Sequence, residues 1–307
     1  MDRLTGTVVF LAKFAAGIMF RPKFIAKVAE KSPPGYPTMK TKTLCSTGRL
    51  LPIFCAVAGS WFASARADQS AQPLPFVQNW TDSALIAADN DWSKVPGFVG
   101  FRGDKLISKP GANPQTITAD GSLTPVDVIA NQSKPNTLRT GGVAEFDGIA
   151  GPVIALKGSA TAAAPFLLLN VTTKGKKNIA FGYKLRDIDN SANNAVQPVA
   201  FQYRVGTNAD FTDLPSAYAP DASTGPNLAT LVTPIVVLLP NEANDQPLVQ
   251  VRWITANAEG NDEWIGIAAI TAIGDDIAAP AANPATAKVD TNPVAKPLRA
   301  PRDAGNP

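Results

Sequence analysis

Alternating apolar and polar positions dominate the chain between residues 74 and 277. Large apolar side chains occupy every second position in Ile179–Arg186, and the same period recurs in Val199–Val205 and Val249–Trp253. A period of two places successive side chains on opposite faces of a β-strand. Each run therefore predicts a strand with one face toward a core and the other toward water.

Two further runs lack this alternation. Phe166–Val171 is apolar apart from Asn170, and Ile235–Leu239 is apolar throughout, which is typical of strands buried on both faces or packed near the centre of a sandwich. Residues rich in Gly, Pro, Asn and Asp separate the runs, and no segment keeps a helical period over three turns, so Ser83–Ala88 predicts at most a short helix or the start of a strand. The pattern predicts an all-β fold, an antiparallel two-sheet sandwich that is jelly-roll-like.

The N-terminal part of the chain predicts export. Met39 is followed by Lys40, Lys42 and Arg49, by the apolar stretch Leu50–Phe62 and by Ala65-Arg66-Ala67, a small-x-small cleavage sequence. We interpret residues 39–67 as a signal peptide and residues 1–38 as an extension upstream of the true start codon. The alternative, a membrane anchor built from Thr7–Phe20, has Lys13 in its middle and is short for a bilayer.

The remaining chain divides into two parts. Residues 68–277 form the predicted sandwich, in which residues 74–140 are less periodic and predict long loops and edge strands. Residues 278–307 are rich in Pro and Ala, have little to bury and predict a disordered tail. We therefore expect a secreted, periplasmic or extracellular bacterial protein with no stable membrane span in its mature chain.

Composition excludes several classes of chemistry. The chain has no histidine, and its two cysteines, Cys45 and Cys55, lie in the predicted signal peptide. His-assisted hydrolysis, zinc sites of the His/Cys kind and disulfide scaffolds are therefore excluded for the mature chain. Ten of the 28 Lys and Arg residues and two of the 25 Asp and Glu residues lie in residues 1–67, which leaves residues 68–307 with a formal charge of −5. An acidic mature chain argues against nucleic acid as a direct partner.

Four acidic residues are candidates for chemistry. Asp187 and Asp189 lie two apart at a strand end, and Asp262 and Glu263 precede the last strand. Hard oxygen ligands of this kind suit a structural calcium ion. Paired carboxylates also serve glycoside hydrolysis, and acidic residues beside Asn and Gly commonly cap turns, so three interpretations of these residues stay open.

Three tryptophans are candidates for ligand binding. Trp80, Trp92 and Trp264 lie near predicted loops, where indole rings stack on sugar faces while neighbouring acids such as Asp89 and Asp91 bond the hydroxyls. Packing into the core is the alternative for each ring, and Trp253 is predicted to be a core residue because it alternates with Val249 and Val251.

Several stretches resemble one known module. They are Leu74–Thr81, Asp91–Asp104, Gly142–Ile149, Leu185–Asp189, Ala195–Gly206 and Asp262–Ile267. Together they resemble the non-catalytic N-terminal β-sandwich module of secreted bacterial multidomain proteins, some of which continue into nuclease or phosphoesterase domains. The resemblance implies a sandwich and export. The closing strand departs from the Gly-Ile-Asp-Asp-Ile pattern of such modules, because Gly266 and Ile267 are followed by Ala268 and Ala269.

The sequence favours one function over two alternatives. We expect an exported, non-catalytic module that binds a glycan or another cell-surface or extracellular polymer. The alternatives are a carboxylate-dependent glycoside hydrolase and a purely structural envelope protein. No Gly-x-Ser-x-Gly elbow or phosphate-binding Gly-Lys-Ser/Thr loop occurs in residues 68–307.

Overall fold

The protein consists of β-strands joined by loops and short 3-10 turns. The computed structural model describes residues 66–106 and 109–278, and no α-helix occurs among them. Its strands are β1 (Arg66–Ala67), β2 (Gln72–Pro73), β3 (Phe76–Gln78), β4 (Asp91–Trp92), β5 (Phe98–Phe101), β6 (Gly142–Phe146), β7 (Val153–Lys157), β8 (Phe166–Thr172), β9 (Lys176–Asp187), β10 (Val199–Val205), β11 (Thr212–Asp213), β12 (Val232–Leu238), β13 (Val249–Thr255) and β14 (Ile265–Asp276).

Twelve of these strands form two six-stranded sheets, and β1 and β4 form a separate two-stranded sheet, which confirms the predicted all-β class. The first sheet has the order β11-β10-β13-β8-β2, with β5 also paired to β8. The second has the order β12-β9-β14-β7-β6, with β3 also paired to β14. Their long strands pair antiparallel, and the inner faces share one core that includes Phe181, Phe201 and Trp253.

The segments predicted at the two ends of the chain lie mostly outside the described residues. Residues 1–38, most of the predicted signal peptide (39–65) and most of the predicted tail (279–307) lie there. The last two residues before the predicted cleavage point form β1, which pairs in parallel with β4. Among the described residues no helix is long and apolar enough to cross a bilayer.

Strand β9 follows the predicted alternation. Ile179, Phe181, Tyr183 and Leu185 are buried, whereas Lys184 on the opposite face is exposed. The segment Ser83–Ala88 is neither helix nor strand but part of a loop with turns, so that prediction is wrong. Asp82 explains the loop, because its carboxylate accepts a hydrogen bond from the Ala84 N–H and its carbonyl accepts one from the Leu85 N–H.

Strands β10 and β13 lack the predicted wet face. Arg252 on β13 is fully buried, and its guanidinium donates to Gln202 Oε1 and to the carbonyls of Ile117 and Ala119. The same guanidinium lies 3.9 Å from the ring centroid of Phe211. A loop from the irregular first part of the chain therefore covers this face. Burial lowers the pKa of Arg252 to about 9.

The predicted burial of β12 is also wrong. Its apolar run was expected to be buried on both faces, but β12 is an edge strand of the second sheet and Val236 is 80% exposed. Only the side chains that face the core, such as Val237 and Leu239, are buried. By contrast, β8 is buried along its first six residues as expected, because it lies between β13 and β5.

Candidate functional site

The three predicted ligand-binding tryptophans are core residues. Trp80 is 3% exposed, and Trp92 and Trp264 are fully buried. Each indole N–H donates to a backbone carbonyl: Trp80 to Ile267 at 2.8 Å, Trp92 to Asp127 at 3.1 Å and Trp264 to Leu138 at 3.0 Å. A ring with no exposed face cannot stack on a sugar, so these rings anchor loops, and the prediction of ligand stacking is corrected.

The acids near Trp92 have different surroundings. Asp91 accepts a hydrogen bond from the Ser93 N–H at 3.0 Å and so stabilises a turn. Asp89 accepts one from the Ala130 N–H at 2.9 Å and lines a small cavity of about 240 Å³ together with Arg102 and Asp127. Of the residues predicted to bind a ligand through this loop, Asp89 lines this cavity and Asp91 and Trp92 do not.

Three of the four predicted metal ligands come together. Asp187 accepts hydrogen bonds from the N–H groups of Asp189 and Thr224, at 3.0 and 2.7 Å. The Asp189 carboxylate lies 3.3 Å from the Lys157 ammonium. Glu263 is almost fully buried, and the charges of Asp187 and Asp189 act on its carboxyl group. These residues lie below the surface at the end of β9 and the start of β14.

Glu263 is the most perturbed member of this group. Burial and the nearby charges of Asp187, Asp189 and Asp221 raise its pKa to about 7. Its Oε2 atom is buried and has no hydrogen-bond partner. No three acid, histidine or cysteine side chains in the described residues are arranged to hold a metal ion. Protonation of Glu263 removes one of the like charges gathered here, and the structural calcium ion stays a prediction.

Asp262 does not join that group. Its carboxylate accepts a hydrogen bond from the Ala258 N–H at 2.8 Å and faces Lys157, on the other side of the strand start from Glu263. Gly158 is required beside it, because a methyl group at Gly158 would overlap the backbone of Asn257 as well as Asp262 Oδ1. Asp262 is only partly buried and, with Lys157, forms part of the lining of a cleft.

This cleft is lined mainly by polar residues. Its volume is about 560 Å³. It is lined by Asn136, Leu138, Arg139, Lys157, Gly158, Ser159, Asn190, Ser191, Ala192, Asn193, Asn227, Gly260, Asn261 and Asp262. Five of these are asparagines, and we call the feature the asparagine cleft.

Loops from both halves of the chain build the asparagine cleft. Residues 190–193 follow β9, residues 260–262 precede β14, and residues 136–139 precede β6. A fourth loop contributes Asn227, whose N–H donates to the carbonyl of Ser191 at 2.7 Å and so ties that loop to residues 190–193. Trp264 lies beneath, because its indole N–H bonds Leu138 in the cleft wall. The buried tryptophan therefore stabilises the wall of the cleft and does not line the cleft itself.

The chemistry of the asparagine cleft is that of polar recognition. A primary amide both donates and accepts hydrogen bonds, as does a sugar hydroxyl. Asp187, Asp189 and Glu263 cannot reach a ligand there, because their side chains are buried. Asp262 is the one carboxylate that lines the cleft. The arrangement is therefore equipped to bind hydroxyl groups, whereas paired carboxylates of the glycosidase type are not exposed in it.

Comparison with known proteins leaves the family of the chain open. No family model matches it, and no curated protein matches it. Among solved structures it is similar to a CBM28 carbohydrate-binding module specific for non-crystalline cellulose, with 12% identity and a TM-score of 0.30 over 49% of this chain and 99% of that one. It is also similar to a Stig cyclase from Fischerella sp. TAU, with 10% identity and a TM-score of 0.35 over 66% of this chain and 98% of that one.

A third similar structure is a CBM61 module in complex with β-1,4-galactotriose, with 7% identity and a TM-score of 0.26 over 41% of this chain and 73% of that one. Binding modules and an enzyme thus appear together at low scores. The function must therefore be argued from the residues of this chain.

Proposed function

We propose that residues 68–277 form an exported, non-catalytic module that binds a glycan in the asparagine cleft. The observation that carries the proposal is the lining of the cleft, in which five asparagines, two serines, Arg139, Lys157 and Asp262 surround about 560 Å³. This density of groups that donate and accept suits a ligand covered with hydroxyls. The burial of Asp187, Asp189 and Glu263 supports binding without hydrolysis.

Affinity electrophoresis of the full chain tests the binding. Migration should be retarded in gels that contain one or more of cellulose derivatives, galactan, xylan and mannan, and no reducing sugar should be released. A double variant, Asn193→Ala with Asn261→Ala, should lose most of the retardation because two amides leave the cleft wall. Asn208→Ala is the matched control, since Asn208 is exposed and lies outside the cleft.

Three results would overturn the proposal. Retardation that persists in the double variant would place the ligand elsewhere, and release of reducing sugar would restore the hydrolase. If no polymer of the panel retards the chain, glycan binding is refuted and the structural envelope protein becomes the favoured function.

The proposed export has a separate test. Expression of the full chain in a bacterial host with a periplasm should give a product that begins at Asp68, because Ala65-Arg66-Ala67 is the predicted cleavage sequence. Mass spectrometry of the product determines its N-terminus. A product that retains Met1 or Met39 would contradict the proposed signal peptide.

A further inference from the structure

A second cavity adjoins the asparagine cleft. Its volume is about 550 Å³, close to that of the cleft. Its lining has a different character, with several apolar side chains and a polar rim. The members that matter here are Val196, Pro198, Tyr218, Pro220, Asn113 and Glu259.

The same two loops line both cavities. Residues 190–193 and 260–262 line the asparagine cleft, whereas residues 194–196 and 256–259 line the second cavity. The two loops are tied together, because Gln197 donates a hydrogen bond through Nε2 to the carbonyl of Ala256 at 2.9 Å. The two cavities are therefore consecutive along one pair of loops.

Tyr218 is the one aromatic residue among the residues that line either cavity. Its backbone is fixed on both sides, since its N–H donates to the carbonyl of Pro215 and Ala219 exchanges hydrogen bonds with Val199. Its ring is partly buried against the core. A tyrosine hydroxyl is protonated at neutral pH and can donate, and burial raises the pKa of Tyr218 further.

We propose that the second cavity is a subsite for the same glycan, which is an extended oligosaccharide longer than a disaccharide. Sugar rings in the asparagine cleft are held by hydrogen bonds to their hydroxyls. The chain continues along the loop pair, and a further ring places its C–H face against Tyr218 and the flanking prolines. Each subsite raises the effective concentration of the glycan at the other. This inference rests on the proposed function.

Titration of the full chain with oligosaccharides of graded length tests the subsite. The probes are β-1,4-linked glucose and β-1,4-linked galactose oligomers of two, three, four and six units, with oligomers of any other polymer that retards the chain. The dissociation constant should fall about tenfold from the dimer to the hexamer, the change that one additional aromatic contact of moderate strength produces. Tyr218→Ala should abolish this gain without weakening dimer binding.

Two further variants distinguish loss of the contact between Tyr218 and the sugar from loss of the fold. Tyr218→Phe keeps the ring and should keep the gain. Val196→Glu places a bulky charge in the second cavity at a position that is 61% exposed, so the fold tolerates it and the gain should again be lost. Circular dichroism of each variant checks the fold.

Three outcomes are distinguishable. A hexamer that binds no tighter than the dimer overturns the subsite but leaves the proposed function intact. A gain that survives both Tyr218→Ala and Val196→Glu also overturns the subsite. Absence of binding at every length and on every polymer overturns the proposed function, and the subsite with it.

Discussion

At the scale of single residues, backbone crowding determines what Gly103 tolerates. Its φ of 69° lies in the left-handed region, and a methyl group there would overlap the carbonyl oxygen of Ala164. We expect Gly103→Ala to lower the free energy of unfolding by about 3 kcal/mol, measured by urea denaturation. Gly225→Ala is the control, since nothing lies within 4 Å of its added methyl group, and equal effects of both substitutions would contradict the argument.

Glu263 carries a second prediction at this scale. Its folded pKa of about 7 lies above the ordinary 4.5, so folding favours the protonated form. That contribution to stability is complete below pH 4.5 and is lost as the pH rises through 7. Glu263→Gln removes the charge beside Asp187 and Asp189 and should raise the free energy of unfolding at pH 8 by about 1–2 kcal/mol, with little change at pH 4.5.

Thermal unfolding of Glu263→Gln at both pH values measures this effect. Glu259→Gln is the matched control, because Glu259 is exposed and its substitution should change little at either pH. A variant that is less stable than the natural protein at pH 8 would contradict this prediction. If added calcium then stabilised the natural protein and not the variant, the calcium ion that the sequence predicts would be the occupant.

Single residues are also where sequence-based prediction was weakest. Tryptophans near loops and acids near turns were identified, but whether a ring faces water depends on partners far along the chain, such as Ile267 for Trp80. The asparagines of the cleft carry no local signal. Asn136 and Asn261 are brought together only by folding, so the asparagine cleft was not predictable from spacing.

At the scale of elements, the edge strand β12 carries a built-in protection against self-association. The Leu231 carbonyl accepts a hydrogen bond from Asp187 on β9, and the Leu239 N–H donates to Ile179 on β9. Because the bonding direction alternates along a strand, Val232, Pro234, Val236 and Leu238 direct their backbone groups away from β9. Pro234 has no N–H to offer there, which interrupts the free edge beside exposed apolar side chains.

We therefore expect Pro234→Thr to promote dimers or larger assemblies of the full chain, because it restores an N–H in the middle of an apolar edge. Sedimentation velocity over a range of protein concentrations measures the change. The double variant Pro234→Thr with Val236→Lys should return to the behaviour of the natural protein, since Val236 is 80% exposed on that edge and a lysine there repels a second copy. Unchanged sedimentation of Pro234→Thr would contradict the role of Pro234.

Prediction of the secondary-structure elements succeeded where the burial of a strand follows the alternation in its own sequence. The alternation of β9 is local and survives in the fold. It failed for the outer face of β13, because the pattern counts Arg252 as a wet position whereas carbonyls and an aromatic ring from distant loops bury it. It also failed for β12, since five apolar residues in a row do not tell whether a strand is central or at an edge.

At the scale of the whole molecule, the titration of the carboxylates predicts greater stability in mild acid. Glu145 and Glu263 each have a pKa raised to about 7, with burial as the main cause. Burial also raises the pKa of Asp127, Asp187, Asp213 and Asp262, whereas the lowered pKa values belong to less buried acids. The folded chain therefore binds more protons than the unfolded chain near pH 6, and its stability falls as the pH rises.

The midpoint of thermal unfolding should accordingly be higher at pH 5 than at pH 8. The double variant Glu145→Gln with Glu263→Gln should flatten this dependence, because it removes the two groups with the largest resolved carboxylate shifts. A midpoint that increases from pH 5 to pH 8 in the natural protein would contradict the prediction.

The burial of Trp80, Trp92, Trp253 and Trp264 has a spectroscopic consequence. All four indoles in the described residues are shielded from water, so their fluorescence emission reports loss of packing in both layers of the molecule at once. None of them lines the asparagine cleft or its neighbouring cavity. Saccharide binding should consequently leave the emission of Trp80, Trp92 and Trp253 nearly unchanged. Trp264 alone could respond, because its indole bonds Leu138 in the cleft wall and the Lys157 ammonium lies 5.9 Å from its ring. Calorimetry or nuclear magnetic resonance of the asparagine side chains is therefore the measure of occupancy.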